Sequence, residues 1–265
     1  MSDDLARARE LLSGAARVLV FTGAGASAES GVPTFRGPGG LWRSFRADQL
    51  ATPQAFARDP RVVWEWYGWR RWIVAGCRPN LAHVALGRWM LAREGITLVT
   101  QNVDDLHERG ALEAAAALGV SAARAAPIRL HGSLFHVRCT ACAERAEHRD
   151  PIDAAGEATL PHCQSCASLL RPDVVWFGEP LPEDALRSAF AAAREAAVCL
   201  VVGTSGAVHP AAAVVHQTLG AGGSVIVVDP GETAYDDMAT ARLWGAAGDV
   251  VPRLLDAGPG GGRGD

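Results

Sequence analysis

Val18-Leu19-Val20-Phe21-Thr22-Gly23-Ala24-Gly25-Ala26-Ser27-Ala28-Glu29-Ser30-Gly31-Val32-Pro33-Thr34-Phe35-Arg36 is the stretch whose reading decides the fold. Its first residues, 18–21, form a β-branched and aromatic run that reads as a buried strand. Gly23, Gly25 and Ala28 follow at the G-x-G-x-x-G/A spacing that opens a dinucleotide-binding unit. Gly23 permits the tight turn, and Gly25 lets the backbone approach a pyrophosphate. The small Ala28 lets the next helix pack on the strand and offer its N-terminal N–H groups to phosphate. A hydride-transferring dinucleotide enzyme also shows an acidic residue closing a second strand roughly 20 residues on. Here that region holds Gly37, Pro38, Gly39, Gly40, Leu41 and Trp42, a loop. The stretch predicts dinucleotide binding without a standard dehydrogenase.

Outward from this stretch, strands are expected at 96–99, 127–130, 197–202 and 224–228, alternating with helices at 61–74, 80–93, 182–197 and 210–219. That alternation predicts an α/β protein with a doubly wound parallel sheet, in which ligands bind at the carboxyl ends of the strands. Polar and glycine residues collect at those ends: Gly23 and Gly25, Gln101 and Asn102, His131, Gly203 to Ser205, and Asp229. The 265 residues suffice for one such domain plus a small insert. A net charge of −4 without a basic run argues against a nucleic-acid binder. No apolar stretch approaches a membrane span. The charged first ten residues resemble no targeting peptide, so the expected compartment is the cytoplasm. The oligomeric state is left open and is compatible with a monomer.

Residues 134–172 differ in texture, being polar, turn-rich and carrying four of the six cysteines. Cys139-x-x-Cys142 and Cys163-x-x-Cys166, 20 residues apart, have zinc-ribbon spacing. Four thiolates close the shell of a Zn²⁺ ion, so the metal is structural rather than catalytic. Cys77 and Cys199 read as packing residues. Asp104 and Asp105 fit helix capping as well as ligand contact. His131 closes a strand and can serve as a general base, although a lone histidine is more often a core residue. Tyr67 and Arg70 share a helix face, where the guanidinium either stacks on tryptophan or receives a carboxylate.

Together, residues 23–36, Thr100-Gln101-Asn102-Val103-Asp104, His131-Gly132, the paired Cys-x-x-Cys, Val175-Trp176-Phe177-Gly178-Glu179 and Gly203-Thr204-Ser205 resemble the sirtuin family of NAD-dependent protein lysine deacylases, in order from about residue 15 to 255. The resemblance implies a Rossmann-type large domain (1–36, 96–133 and 173–257). It also implies a small domain made of a cofactor loop and helical part (37–95) and a four-cysteine zinc ribbon (134–172), followed by a flexible tail (258–265). NAD⁺ as co-substrate would be held by Gly23, Ala24, Gly25, Thr34, Phe35, Arg36, Gln101, Asn102, Asp104, Gly203, Thr204, Ser205 and Asp229. His131 would be the general base, with Asn102 beside it in the catalytic pocket. Val175, Trp176, Phe177, Gly178 and Val208 would hold an acylated peptide by strand addition. Ala51-Thr52-Pro53 with Tyr67 and Arg70 resembles the class III branch, which implies removal of succinyl or malonyl groups, with acetyl accepted as well. A mainly acetyl-directed enzyme is one alternative, and an NAD glycohydrolase or mono-ADP-ribosyltransferase is another. Ala26 and Asp229 depart from the family's usual branched aliphatic and Asn.

Overall fold

A computed structural model describes residues 2–33, 41–42 and 45–256. Thr34, Phe35 and Arg36 and the tail 258–265 lie outside the described residues. After α1 (Ser2–Gly14), strand β1 (Val18–Thr22) runs into the short helix α2 (Gly25–Ala28). A two-strand hairpin, β2 (Leu41–Trp42) and β3 (Phe45–Arg46), leads to α3 (Ala47–Leu50), α4 (Pro53–Arg58), α5 (Pro60–Gly76) and α6 (Leu81–Ala92). Side chains start three of these elements: Thr52 caps α4, Asp59 caps α5 and Asn80 caps α6.

Then come β4 (Ile96–Thr100), α7 (Leu106–Leu118), β5 (Ile128–Arg129), β6 (Gly132–Cys139), β7 (Arg145–Glu147) and β8 (Leu170–Val174). The chain closes with α8 (Glu183–Glu195), β9 (Val198–Val202), α9 (Ala213–Gly220), β10 (Ser224–Asp229), β11 (Ala241–Trp244) and α10 (Ala247–Leu255). Among the described residues, no helix is long and apolar enough to cross a membrane.

Among the described residues, the main sheet has the order β11-β10-β9-β1-β4-β5, and every pairing in it is parallel. The chain therefore winds outward from β1 in one direction, through β4 to β5, and then returns to the other side of β1 through β9, β10 and β11. The direction reverses between β1 and β9, which is where an open α/β sheet forms its ligand crevice. The sheet is covered on both faces, and its central strands are apolar throughout. Val18, Val20, Leu98, Leu200 and Ile226 face α1, α6 and α10, while Leu19, Phe21, Val99, Val201 and Val227 face α8 and α9.

A third core joins α3, α4 and α5 to β6 and β8 through Leu50, Trp64, Tyr67, Leu134, Phe135, Val137 and Trp176. Arg71 fastens α5 to the cysteine-bearing segment, donating to the main-chain carbonyls of His148 and Asp150. β6 is eight residues long and runs antiparallel between β7 and β8. It thus connects the crevice, where it starts after His131, to the cysteines, where it ends.

The structure moves one expectation. Ala28 is exposed, and the residues that pack α2 onto the sheet are the buried Ala26 and Ser27. With only four residues in α2, the buried face falls one to two positions earlier than the glycine spacing implies.

Candidate active site

The carboxyl ends of β1 and β9 meet at main-chain distance. Gly25 N–H donates to Gly203 O at 2.8 Å, and Gly23 N–H to Val202 O at 3.1 Å. A methyl group on Gly23 would lie 2.6 Å from Thr204 Cβ, and one on Gly203 would overlap the Ala26 nitrogen. Gly203 also adopts φ +61°, a conformation that side chains disfavour. Gly23 and Gly25 are therefore required first by the neighbouring strand's loop. The result is a floor of closely packed backbone, in which the Gly23, Gly25 and Gly203 N–H groups donate to the Val202, Gly203 and Val228 carbonyls. Ala24 lies half-buried on this floor, and Ser205 O accepts from Ala234 N–H. Beside it, Gln101 Nε2 donates to Thr204 Oγ1 at 2.9 Å, joining the end of β4 to that of β9. Asp229 closes β10, its Oδ1 accepting from Gly231 N–H, and burial raises its pKa.

The loop after β4 is fixed from several sides. Asn102 is buried; its Nδ2 donates to Ser27 Oγ at 3.1 Å and its main-chain N–H to Thr100 Oγ1 at 3.0 Å. Asp104 is buried too, and burial pushes its pKa up against the opposing pull of Leu106 N–H, Ser27 and Arg129. Its Oδ1 accepts from Leu106 N–H at 3.1 Å, so the carboxylate both supports the start of α7 and faces the Ser27 side of the crevice.

His131 Nδ1 lies 2.8 Å from Gln101 O. A carbonyl only accepts, so the proton sits on Nδ1 and the lone pair of the neutral ring sits on Nε2. Burial lowers the His131 pKa, partly offset by the Gln101 carbonyl. The tautomer of this imidazole is thus fixed, with Nε2 as the nitrogen able to accept a proton.

On α5, the Arg70 guanidinium lies 5.1 Å from the centroid of the Trp66 ring and 5.9 Å from that of Tyr67. Desolvation lowers its pKa, while Tyr67 and Asp104 pull the other way. Tyr67 is fully buried, which pushes its phenol up to about 12, and its Oη accepts from Trp176 Nε1 at 2.9 Å. The Trp176 side chain is therefore turned inward, stacked against Arg171 at 3.3 Å, and its main chain is bonded to Glu179, the N–H donating to Oε2 at 2.9 Å and the carbonyl accepting from Glu179 N–H at 3.0 Å. Phe177 and Val208 are exposed, and Gly178 takes φ +85°. Val175 N–H donates to His131 O at 3.0 Å and Phe177 N–H to Ala51 O at 2.9 Å, so this edge is tied to the imidazole-bearing segment and to the end of α3.

The cysteines converge. The Sγ atoms of Cys139, Cys142, Cys163 and Cys166 all lie within 4.8 Å of one another. Three of the separations are 3.4, 3.7 and 3.7 Å. A tetrahedral ion with Zn–S bonds of about 2.3 Å has edges of about 3.8 Å, so the donors fit zinc in both chemistry and spacing.

Several site residues escaped the sequence reading. Ser27 lies between Asn102 and His83 Nε2, at 3.1 and 3.3 Å. Thr22 Oγ1 links Thr100 Oγ1 at 2.8 Å to His107 Nε2 at 2.9 Å. The available signal was polar residues closing two apolar strands that pair in register, Thr22 opposite Thr100.

Known proteins resemble this chain in sequence and in fold. A family profile described as the Sir2 family matches residues 23–210. An NAD-dependent protein deacylase of Thermococcus kodakarensis is 46% identical over 257 residues, covering 95% of this chain and 94% of the relative. A Sir2 homologue solved in complex with NAD superposes with a TM-score of 0.83 at 42% identity, covering 94% of this chain and 92% of the other. A Sir2 protein solved with a deacetylated p53 peptide and 3′-O-acetyl ADP ribose gives a TM-score of 0.81 at 31% identity, covering 96% and 98%.

Proposed function

The chain belongs to the Sir2 family, and from that premise we propose that it is an NAD-dependent protein lysine deacylase that removes acidic acyl groups, succinyl and malonyl, and acetyl as well. The observation that carries this reading is His131, a base of fixed tautomer held beside Asn102 at the crevice between β1 and β9. Bound NAD⁺ supplies the ribose carbon that takes up the acyl-lysine oxygen as nicotinamide leaves, and the acyl group ends on ADP-ribose. Gly23, Ala24, Gly25, Gly203, Thr204 and Ser205 receive the phosphates and ribose on their backbone floor, and Asp229 receives the adenosine end. Thr34, Phe35 and Arg36 continue the same motif.

Gln101, Asn102 and Asp104 orient the nicotinamide ribose. His131 Nε2 takes the proton from a ribose hydroxyl so that its oxygen attacks the acyl carbon; the bond from that carbon to the lysine nitrogen then breaks, the lysine leaves as the free amine, and one water completes the balance. The main chain of Val175 to Gly178 and of Val208 grips the peptide on either side, which makes an acylated protein or peptide the partner and leaves no role for nucleic acid. The four cysteines hold structural zinc and maintain the end of β6. We infer a cytoplasmic location, where such thiols stay reduced for metal binding.

Support for the acidic acyl preference comes from Arg70. Its guanidinium is desolvated against two aromatic rings, the setting in which a bidentate carboxylate contact is strongest. The test is steady-state turnover of succinyl-, malonyl- and acetyl-lysine peptides by the wild type and Arg70→Met. Desuccinylation should fall at least about 30-fold, deacetylation less than about 3-fold; one such charge-assisted contact accounts for roughly that ratio. Equal losses on both substrates would remove Arg70 from acyl recognition.

A further inference from the structure

We propose that Arg129 is a positioning residue for the deacylation reaction, its guanidinium locking the loop that carries Asn102 to the segment that carries His131. The proposal rests on the deacylase reading given above. Arg129 ends β5, two residues before His131, with its side chain mostly buried. Nη1 donates to Asn102 O at 3.1 Å and to Gly132 O at 3.5 Å, Nη2 to Asp104 O at 2.7 Å, and Nε to Glu108 Oε1 at 2.8 Å. Glu108 Oε1 also lies 2.6 Å from Nη2, so the first turn of α7 fixes the guanidinium in turn.

These contacts complete a continuous seam. Gln101 O is bonded by the His131 ring, Asn102 O by Arg129, Val103 O by Leu134 N–H at 2.8 Å and Asp104 O by Arg129 again. Four consecutive carbonyls of the β4–α7 loop are thus bonded to residues 129–134. Two of the four bonds, and the added one to Gly132, come from a single side chain. Drawing the Asn102 and Asp104 carbonyls toward Arg129 leaves their side chains on the Ser27 side, where Asn102 Nδ2 bonds Ser27 Oγ. Only a planar fork with five donors can serve these acceptors together; a lysine, with three donors on one atom, cannot.

The two groups placed in the chemistry, Asn102 and His131, are thereby held at one separation and angle. A displacement of about 1 Å between reacting groups can cost on the order of 100-fold in rate.

The experiment uses the zinc-loaded full chain, with Arg129→Gln, Arg129→Lys and Glu108→Gln. Turnover of succinyl- and acetyl-lysine peptides is measured alongside hydrogen exchange of segments 101–106 and 131–135. Arg129→Gln should lower kcat about 30- to 100-fold, equally on both peptides, with KM for NAD⁺ and peptide within about 3-fold. Exchange should quicken in those two segments and not in 139–166. Arg129→Lys should recover part of kcat, and Glu108→Gln should lose about 3- to 10-fold. Wild-type kcat in Arg129→Gln, or unchanged exchange in both segments, would overturn the proposal. If Arg129→Gln does not fold, Glu108→Gln decides by the same two readouts, and a variant equal to wild type in both overturns it. A wild type inactive on every acyl peptide would instead bring down the deacylase reading, while exchange alone would still judge the Arg129 seam.

Discussion

At the scale of single residues, the decisive feature is where a proton sits. The Gln101 carbonyl holds the His131 proton on Nδ1, and burial favours the neutral ring. In the proposed reaction His131 acts as the base only when unprotonated, and its pKa lies below the ordinary histidine value of about 6.5. The acid limb of kcat should therefore have its midpoint below about 6.5, with activity level through neutral pH, as a pH–rate profile on a succinyl-lysine peptide will show. His131→Ala should lower kcat by on the order of 100- to 10,000-fold while NAD⁺ affinity, read by calorimetry, changes little. The place of this histidine at a strand end before Gly132 was legible in the sequence, which by itself fitted a core residue as well as a base; the base role came from the family resemblance. Its tautomer was not legible, because that depends on a carbonyl 30 residues away in sequence. Arg129 was invisible for the same reason: in a short strand it reads as one polar residue among apolar ones, and only tertiary proximity gives it three carbonyls to hold.

At the scale of elements, the glycine-rich turn after β1 was read for its ligand, yet its glycines answer to a neighbouring turn. Gly203 combines φ +61° with a contact that no Cβ could share. Gly203→Ala should cost on the order of 3 kcal/mol, measured by urea unfolding, and weaken NAD⁺ binding. The paired Cys-x-x-Cys was legible because thiolate spacing is a local property of two knuckles. One zinc per chain is expected by elemental analysis, and Cys163→Ser should lose it together with much of the thermal stability. β6 was harder to foresee, since its residues divide between a turn-rich insert and the His131 segment. β11 and α10 also went unread: the one is only four residues of mixed polarity, and the other contains Pro252, which reads as a helix breaker.

At the scale of the whole molecule, alternating strands and helices announced the parallel sheet, and polar residues at the strand ends announced the crevice. The buried network behind the crevice then ties function to stability. Burial lowers His83 to about 4 and His107 well below its ordinary value. The unfolded chain takes up protons near 6.5 and the folded chain only lower, so the unfolded state holds more protons in between. Stability is thus full at neutral pH and falls as pH drops from about 6.5 toward 4, by about 1.4 kcal/mol per pH unit for each histidine. Denaturant midpoints at about pH 7.5 and pH 5 should show this drop, and His83→Gln should reduce it.

The most direct test follows the acyl group itself. The protein is incubated with NAD⁺ and a succinyl-lysine peptide, and both products are weighed by mass spectrometry. Transfer onto the nucleotide requires one O-succinyl-ADP-ribose for each lysine freed and each nicotinamide released. Plain ADP-ribose accumulating beside intact succinyl-lysine would contradict it.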